Sequence, residues 1–120
     1  MKVLIVEDNQ TNMDLFVRII NGKGGYDVVT APDGQTALDL ARQEAPDVIV
    51  LDISMPGISG FEVCNTLKMD AQTGDIPIIL LTALSGAEYL KESQQVGADA
   101  FLSKPVKAQD LLDQISTLIQ

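Results

Sequence analysis

The sequence contains no histidine and no tryptophan, and it has one cysteine in 120 residues. Without histidine the chain can build no Ser-His-Asp triad, no Cys-His pair and no His-based zinc site. The lone Cys64 can form neither an internal disulfide nor a thiolate cage around a metal. Any chemistry must therefore rest on Asp, Glu, Lys, Ser and Thr, together with a hard metal ion.

Positive charge is also scarce, since the chain has eight Lys and Arg residues against 17 Asp and Glu residues, which gives a net charge of −9. Nucleic acids and anionic membranes are bound by clustered Lys and Arg, so neither is an expected partner. The longest apolar runs, such as residues 78–81, are too short to span a bilayer. No secretory signal follows Met1-Lys2. We expect one cytoplasmic domain over residues 1–120.

Short runs rich in Val and Ile alternate with segments of helical apolar spacing. Five such runs predict buried strands, and the alternation predicts an α/β fold with a doubly wound parallel sheet and helices on both faces. Ser85 and Glu88 form a capping box that opens the fourth of five predicted helices, and Gly97 ends it. The predicted strands are Lys2–Val6, Val28–Ala31, Val48–Leu51, Ile76–Leu81 and Ala100–Leu102.

Charged or hydroxyl side chains follow four of the five predicted strands, and only the second strand lacks one. Ligands of open parallel sheets bind beyond the carboxyl ends of the strands, where the strand order reverses. The exception of the second strand fits a position at the sheet border, as in the order 2-1-3-4-5, which puts the reversal between strands 1 and 3. The residues at these strand ends are Glu7 and Asp8, then Asp52, Thr82 and Ser103-Lys104-Pro105.

Three carboxylates at the reversal point would repel one another unless a proton or a cation intervened. Mg²⁺ is the cation that takes one or two carboxylates together with waters and phosphate oxygens. A threonine hydroxyl and a lysine at neighbouring strand ends complete the groups needed for phosphoryl transfer onto Asp52. Taken singly, Asp8 or Asn9 could simply cap the first helix, and Thr82 could cap the fourth. The joint placement of these groups therefore carries the prediction.

Four motifs, in order and across nearly the whole chain, resemble the receiver domain of two-component response regulators. The Asn-rich opening after the first strand is also similar to single-domain regulators of the bacterial cell-cycle type. The resemblance implies the flavodoxin-like receiver fold. The motifs are Val6-Glu7-Asp8-Asn9, residues 52–60 (Asp-Ile-Ser-Met-Pro-Gly-Ile-Ser-Gly), Leu81-Thr82-Ala83 and Ser103-Lys104-Pro105.

The resemblance also implies a role for each residue of the acidic site. Asp52 matches the phosphoacceptor of the family. Glu7 and Asp8 match the acidic pair that holds Mg²⁺ together with Asp52, and the backbone carbonyl of Ser54 matches the remaining protein ligand. The expected cofactor is therefore Mg²⁺.

A second set of residues matches the switch of the family. Thr82 corresponds to the switch hydroxyl and Lys104 to the lysine that meets the phosphoryl group. Phe101 occupies the switch-aromatic position, and Pro105 follows what the family usually makes a cis peptide bond. The implied donor is a histidine kinase or a phosphotransfer protein. The implied readout is a downstream protein that binds the face formed by the fourth predicted helix, the fifth strand and the last helix, while homodimerisation on phosphorylation stays open.

Three alternatives remain at this stage. A receiver-shaped scaffold could act without phosphorylation. A small Asp-dependent phosphohydrolase usually carries Asp-x-Asp, whereas this chain has Asp52-Ile53-Ser54. A flavin-binding electron carrier would want a Ser/Thr-rich loop after the first strand in place of Glu7-Asp8-Asn9. We therefore expect a signalling protein that catalyses only its own phosphorylation and dephosphorylation.

Overall fold

The computed structural model describes residues 1–55, 57–82 and 96–119, and its centre is a five-stranded parallel sheet of order β2-β1-β3-β4-β5. Both the predicted α/β class and the predicted strand order are confirmed. The strands are β1 (Lys2–Val6), β2 (Asp27–Ala31), β3 (Val48–Asp52), β4 (Ile78–Thr82) and β5 (Ala100–Ser103). The helices are α1 (Gln10–Val17), which continues as a π-helical turn (Arg18–Lys23), α2 (Gly34–Glu44), α3 (Gly60–Met69) and α4 (Ala108–Ile119).

The sheet is covered on both faces because successive residues of its inner strands point to opposite sides. In β1, Leu4 and Val6 belong to one buried cluster, whereas Val3 and Ile5 belong to another. The first cluster contains apolar residues of α2 and α3, and the second contains apolar residues of α1 and α4. The near-continuous apolar runs of β1, β3 and β4 therefore reflect burial on both faces.

Three strands extend one residue beyond their predicted ends. Asp52, Thr82 and Ser103 are the last residues of β3, β4 and β5, so their backbones are fixed by the sheet. At its start, β4 is shorter than predicted, because the amide of Ile76 donates to the Thr73 carbonyl in a turn (3.1 Å). Asp52, Thr82 and Ser103 are thus held at the sheet edge by strands, whereas Glu7, Asp8 and Lys104 follow directly after β1 and β5.

The first helix does not stop at Val17, where its regular α-helical part ends. It widens into the π-helical turn, which includes Gly22, and the amide of Gly24 donates to the Ile19 carbonyl five residues earlier (3.1 Å). The apolar spacing of this segment matches a helical period as far as Ile20, which is fully buried. Apolar spacing reports which face is buried, and it could not predict the wider turn.

Three helices, α1, α2 and α3, begin after residues whose side chains accept hydrogen bonds from the first turn. Asn9 Oδ1 accepts from the amide of Asn12 (3.0 Å), while Asp33 and Ser59 cap α2 and α3 in the same way. The cap of α1 is therefore Asn9, and Asp8 is not used for capping. This removes the capping alternative that the sequence left open for Asp8.

The predicted fourth helix and its Ser85 and Glu88 capping box lie outside the described residues. Val96, next to the glycine that was predicted to end this helix, packs against the buried cluster that contains residues of α2 and α3. Gly97 has a φ of 82°, in the left-handed region that a helix-terminating glycine often adopts. The prediction of the helix itself stays a prediction.

Candidate functional site

Three carboxylates meet at the carboxyl ends of β1 and β3. The two strands are hydrogen-bonded neighbours, and Val6 of β1 pairs with Leu51 of β3. The next residue along each chain segment, Glu7 or Asp52, is therefore brought beside the other. One oxygen each from Glu7, Asp8 and Asp52 lies within 4.8 Å of the others. Glu7 and Asp52 are each 2% exposed, whereas Asp8 is exposed. The structure thus brings together the acidic residues that the sequence placed at the reversal of strand order.

Lys104 joins this cluster from the end of β5. Its Nζ lies 2.9 Å from Asp52 Oδ2 and 3.5 Å from Glu7 Oε1. Its backbone amide donates to the Thr82 carbonyl (2.6 Å), and its peptide bond to Pro105 is cis. The lysine therefore supplies positive charge to two buried carboxylates.

Backbone amides orient the two buried carboxylates. The amide of Ser54 donates to Asp52 Oδ1 (3.0 Å), which leaves Oδ2 for Lys104. The amide of Asn9 donates to Glu7 Oε2 (3.3 Å). Neither interaction was predictable from the sequence, because a backbone donor leaves no signature in the order of side chains.

The residues predicted to act as a switch lie along β4 and β5. Thr82 is fully buried and pairs in register with Ser103, the residue before Lys104. Phe101 lies two residues earlier in β5, opposite Leu80, and is half-buried against the cluster of α2 and α3. The structure thus places Thr82 at the acidic end of the sheet and Phe101 further back along the strand.

A groove next to the site was not predicted. It has a volume of about 420 Å³ and lies between α1 and the segment that follows β5. One wall is apolar, and Lys104 belongs to its lining, so the groove adjoins the acidic pocket. The lining residues are Asn12, Leu15, Phe16, Lys104, Pro105 and Val106.

Burial and charge shift the acidities within the pocket. The pKa of Glu7 is raised to about 7, first by burial and then by the hydrogen bond and negative charge of Asp52. The Asn9 amide and Lys104 oppose this shift. Burial disfavours the charged form of Lys104, but the hydrogen bonds and negative charges of Asp52 and Glu7 together outweigh it and raise the pKa of the lysine. An all-oxygen pocket with this excess of negative charge fits a hard divalent cation.

The folding stability of the metal-free protein is expected to fall as pH rises from about 4.5 to about 7. Folded Glu7 retains a proton in this range that the unfolded chain has released, so its stabilising contribution is complete below 4.5 and lost through about 7. One proton sets a ceiling of about 1.4 kcal/mol per pH unit on this slope. Urea unfolding in EDTA across this range should show a steeper decline for the wild type than for Glu7→Gln. Parallel curves would contradict the prediction.

The model of the response regulator receiver domain matches residues 3–116. The chain belongs to the response regulator receiver family. This confirms the resemblance to two-component receivers that the sequence motifs indicated. The acidic cluster of Glu7, Asp8 and Asp52 fits the phosphoacceptor site of such a domain.

Named relatives of the receiver agree with this assignment. The polar-differentiation response regulator DivK of Brucella anthropi is 38% identical over 117 residues, covering 98% of this chain and 94% of DivK. The response regulator PleD of Caulobacter vibrioides is 42% identical over 105 residues. That match covers 88% of this chain, and the chain spans only 23% of the length of PleD.

Solved structures show the same fold. The chemotaxis protein CheY4 of Vibrio cholerae superposes with a TM-score of 0.91 at 34% identity, covering 98% of this chain and 97% of CheY4. The receiver domain of the sensor histidine kinase PA1611 of Pseudomonas aeruginosa gives a TM-score of 0.90 at 27% identity, covering 98% of this chain and 96% of that one. The PA1611 receiver was solved with a magnesium ion coordinated in its active-site cleft.

Proposed function

We propose that the receiver accepts a phosphoryl group on Asp52 in a reaction that requires Mg²⁺. The observation that carries this proposal is the convergence of three carboxylates from β1 and β3 with the ammonium group of Lys104, 2.9 Å from Asp52 Oδ2. In this proposal Glu7, Asp8, Asp52 and the backbone carbonyl of Ser54 hold the ion. Bound Mg²⁺ would supply positive charge that offsets the negative charge of the phosphoryl oxygens.

The proposed reaction forms one bond and breaks another at phosphorus. An oxygen of Asp52 attacks in line as the bond from phosphorus to the donor imidazole nitrogen breaks, and the imidazole keeps the electron pair of that bond. In this structure the Asp52 side chain is 2% exposed, and Lys104 Nζ lies 2.9 Å from its Oδ2. Lys104 must therefore leave Asp52 Oδ2, and its ammonium group then pairs with a phosphoryl oxygen.

The acyl phosphate would change the balance of charges at the end of β4 and β5. It adds negative charge and acceptor oxygens next to the hydroxyl of Thr82 and the ammonium of Lys104. In the proposed switch Thr82 moves toward the phosphoryl group, and Phe101 fills the space behind it. Phosphorylation shifts the population between two existing states, and it must favour one by several kcal/mol to empty the other.

Two kinds of partner follow from this proposal. The donor is a histidine kinase or a phosphotransfer protein, and the groove beside Lys104 offers it an apolar contact next to the acceptor. The downstream partner is a protein that binds the face of the fourth predicted helix, β5 and α4. Only β5 and α4 of that face lie in the described part of the chain. Homodimerisation on phosphorylation is a separate question, which sedimentation of the phosphorylated protein would decide.

We place the receiver in the cytoplasm as a signalling protein that acts catalytically only on itself. Its charge of −9 and its single cysteine fit that location. Among residues 1–55, 57–82 and 96–119, no helix is long and apolar enough to cross a membrane.

The proposal is tested by incubating the protein with a small acyl phosphate and Mg²⁺ and measuring phosphoryl incorporation by mass spectrometry. The wild type should be labelled, and Asp52→Asn should not. Asp39→Asn is the matched control, because Asp39 is an exposed carboxylate on α2, and it should be labelled like the wild type. Labelling of Asp52→Asn at the wild-type level would overturn the assignment of the acceptor.

Labelling, together with Mg²⁺ binding and phosphate-ester hydrolysis, separates the alternatives. A wild type that binds no Mg²⁺ and takes up no label would favour a scaffold that acts without phosphorylation. Repeated turnover of a phosphate ester would favour a phosphohydrolase. Stoichiometric labelling that stops at one phosphoryl group per chain supports the receiver function.

A further inference from the structure

Gly60, the first residue of α3, lies against the backbone of the proposed acceptor. A Cβ atom at this position would lie 2.6 Å from the carbonyl oxygen of Asp52 and closer still to the Cα of Ile53. The amide of Gly60 donates to the Ile53 carbonyl (3.2 Å). The φ of Gly60 is not positive, so this position needs glycine for space and not for its backbone conformation.

The atoms that would meet this Cβ belong to the main chain and cannot rotate away. On one side, α3 is anchored by Val63, Cys64 and Leu67, which are all buried. On the other side, the amide of Ile53 donates to the Leu81 carbonyl (3.0 Å) and ties the end of β3 to β4. A side chain at residue 60 would therefore displace the peptides that follow Asp52.

The peptides that would move are those that orient the acceptor. Ser54 is two residues beyond Asp52, and its amide donates to Asp52 Oδ1. Its carbonyl is the fourth protein ligand of the proposed Mg²⁺ site. We propose that Gly60 is a positioning residue, which lets α3 support the main chain of residues 52–54 so that Asp52 and Ser54 present their oxygens together. This inference rests on the proposed function and adds a residue to it.

The chain offers a matched control at Gly34, the first residue of α2. Gly34 is also buried, and a Cβ there would lie 2.8 Å from Val63 Cγ2 and 3.2 Å from Ile58 Cβ. Those neighbours are side chains between α2 and α3, whereas the nearest neighbours of Gly60 are the main chain of Asp52 and Ile53. Alanine at either glycine would clash with neighbouring atoms at a helix start, but only alanine at residue 60 would clash with the main chain of the acceptor Asp52.

The test compares Gly60→Ala, Gly34→Ala and the wild type by Mg²⁺ calorimetry, acyl-phosphate labelling and urea unfolding. Both variants should lose stability. Gly60→Ala alone should bind Mg²⁺ at least tenfold more weakly and be labelled at least tenfold more slowly per folded molecule. Wild-type Mg²⁺ affinity in Gly60→Ala, or an equal loss in Gly34→Ala, would overturn the inference. A wild type that binds no Mg²⁺ would instead overturn the proposed function.

A measurement on the wild type decides the question if Gly60→Ala does not fold. During a Mg²⁺ titration followed by NMR, the amide resonance of Gly60 should shift together with that of Ser54. The reason is that the start of α3 supports the main chain of residues 52–54. The Gly34 amide should stay in place. A stationary Gly60 amide beside a shifting Ser54 amide would show that α3 does not support the acceptor segment.

Discussion

Lys104→Met is expected to separate Mg²⁺ binding from phosphorylation. Removing the ammonium group leaves the carboxylates of Glu7 and Asp52 without their nearby positive charge. The pocket becomes more negative, so Mg²⁺ affinity should rise by about tenfold, or roughly 1.4 kcal/mol. Labelling by an acyl phosphate should instead slow by about 100-fold, because no side-chain cation then meets the phosphoryl oxygens.

The same variant should lose stability when no metal is present. Buried carboxylates that lose their paired cation are costly, and we expect a loss of about 2 kcal/mol at pH 8 that saturating Mg²⁺ reverses. The loss should be smaller near pH 5, where Glu7 is protonated. Lys107→Met is the control, because Lys107 is exposed and forms no ion pair with any residue that the structure describes. Unchanged Mg²⁺ affinity in Lys104→Met would contradict the role given to this lysine.

Asp8→Asn is expected to weaken Mg²⁺ binding by about 100-fold, or roughly 2.7 kcal/mol. Asparagine keeps the size of the side chain and removes one of the three charges that attract the ion. Acyl-phosphate labelling should slow in parallel at low Mg²⁺ and recover in part at high Mg²⁺. Calorimetry is the suitable measurement, since the chain has no tryptophan to report binding by fluorescence.

The folding stability of Asp8→Asn without metal distinguishes a metal ligand from a residue that supports the fold. Asp8 is exposed and the cap of α1 is Asn9, so the metal-free stability of Asp8→Asn should not fall below that of the wild type. Asn9→Ala is the converse control: it removes the cap and should cost about 1 kcal/mol of stability while Mg²⁺ binding persists. A destabilised Asp8→Asn would show that Asp8 supports the fold instead of the metal site.

The groups at the strand ends were predictable because parallel strands deliver their carboxyl ends to one edge. Once the order 2-1-3-4-5 was inferred, Asp52 had to lie beside the residues that follow β1, and Lys104 had to lie at the same edge. Each of these residues is also identifiable by its own side chain. Residue type and strand position together were therefore enough to bring the acidic cluster and its lysine into one site.

Other features of the site depend on distances that no local pattern encodes. The need for glycine at residue 60 arises because α3 approaches the main chain of Asp52, and Gly60 resembles any glycine at a helix start. Asn9 and not Asp8 caps α1 because the backbone conformation brings the side-chain oxygen of Asn9 to the amide of Asn12. The π-helical turn after α1 likewise alters hydrogen bonding without altering which face is buried.

The order of residues alone determined the class of fold and the identity of the charged groups at the sheet edge, because strand burial and side-chain type can be read from the sequence. Only the tertiary structure decided which oxygen of Asp52 faces Lys104 and which faces the Ser54 amide. It also decided how far burial shifts the pKa of Glu7. These properties depend on approaches of a few ångströms between segments far apart in the chain, and such distances exist only after the chain has packed.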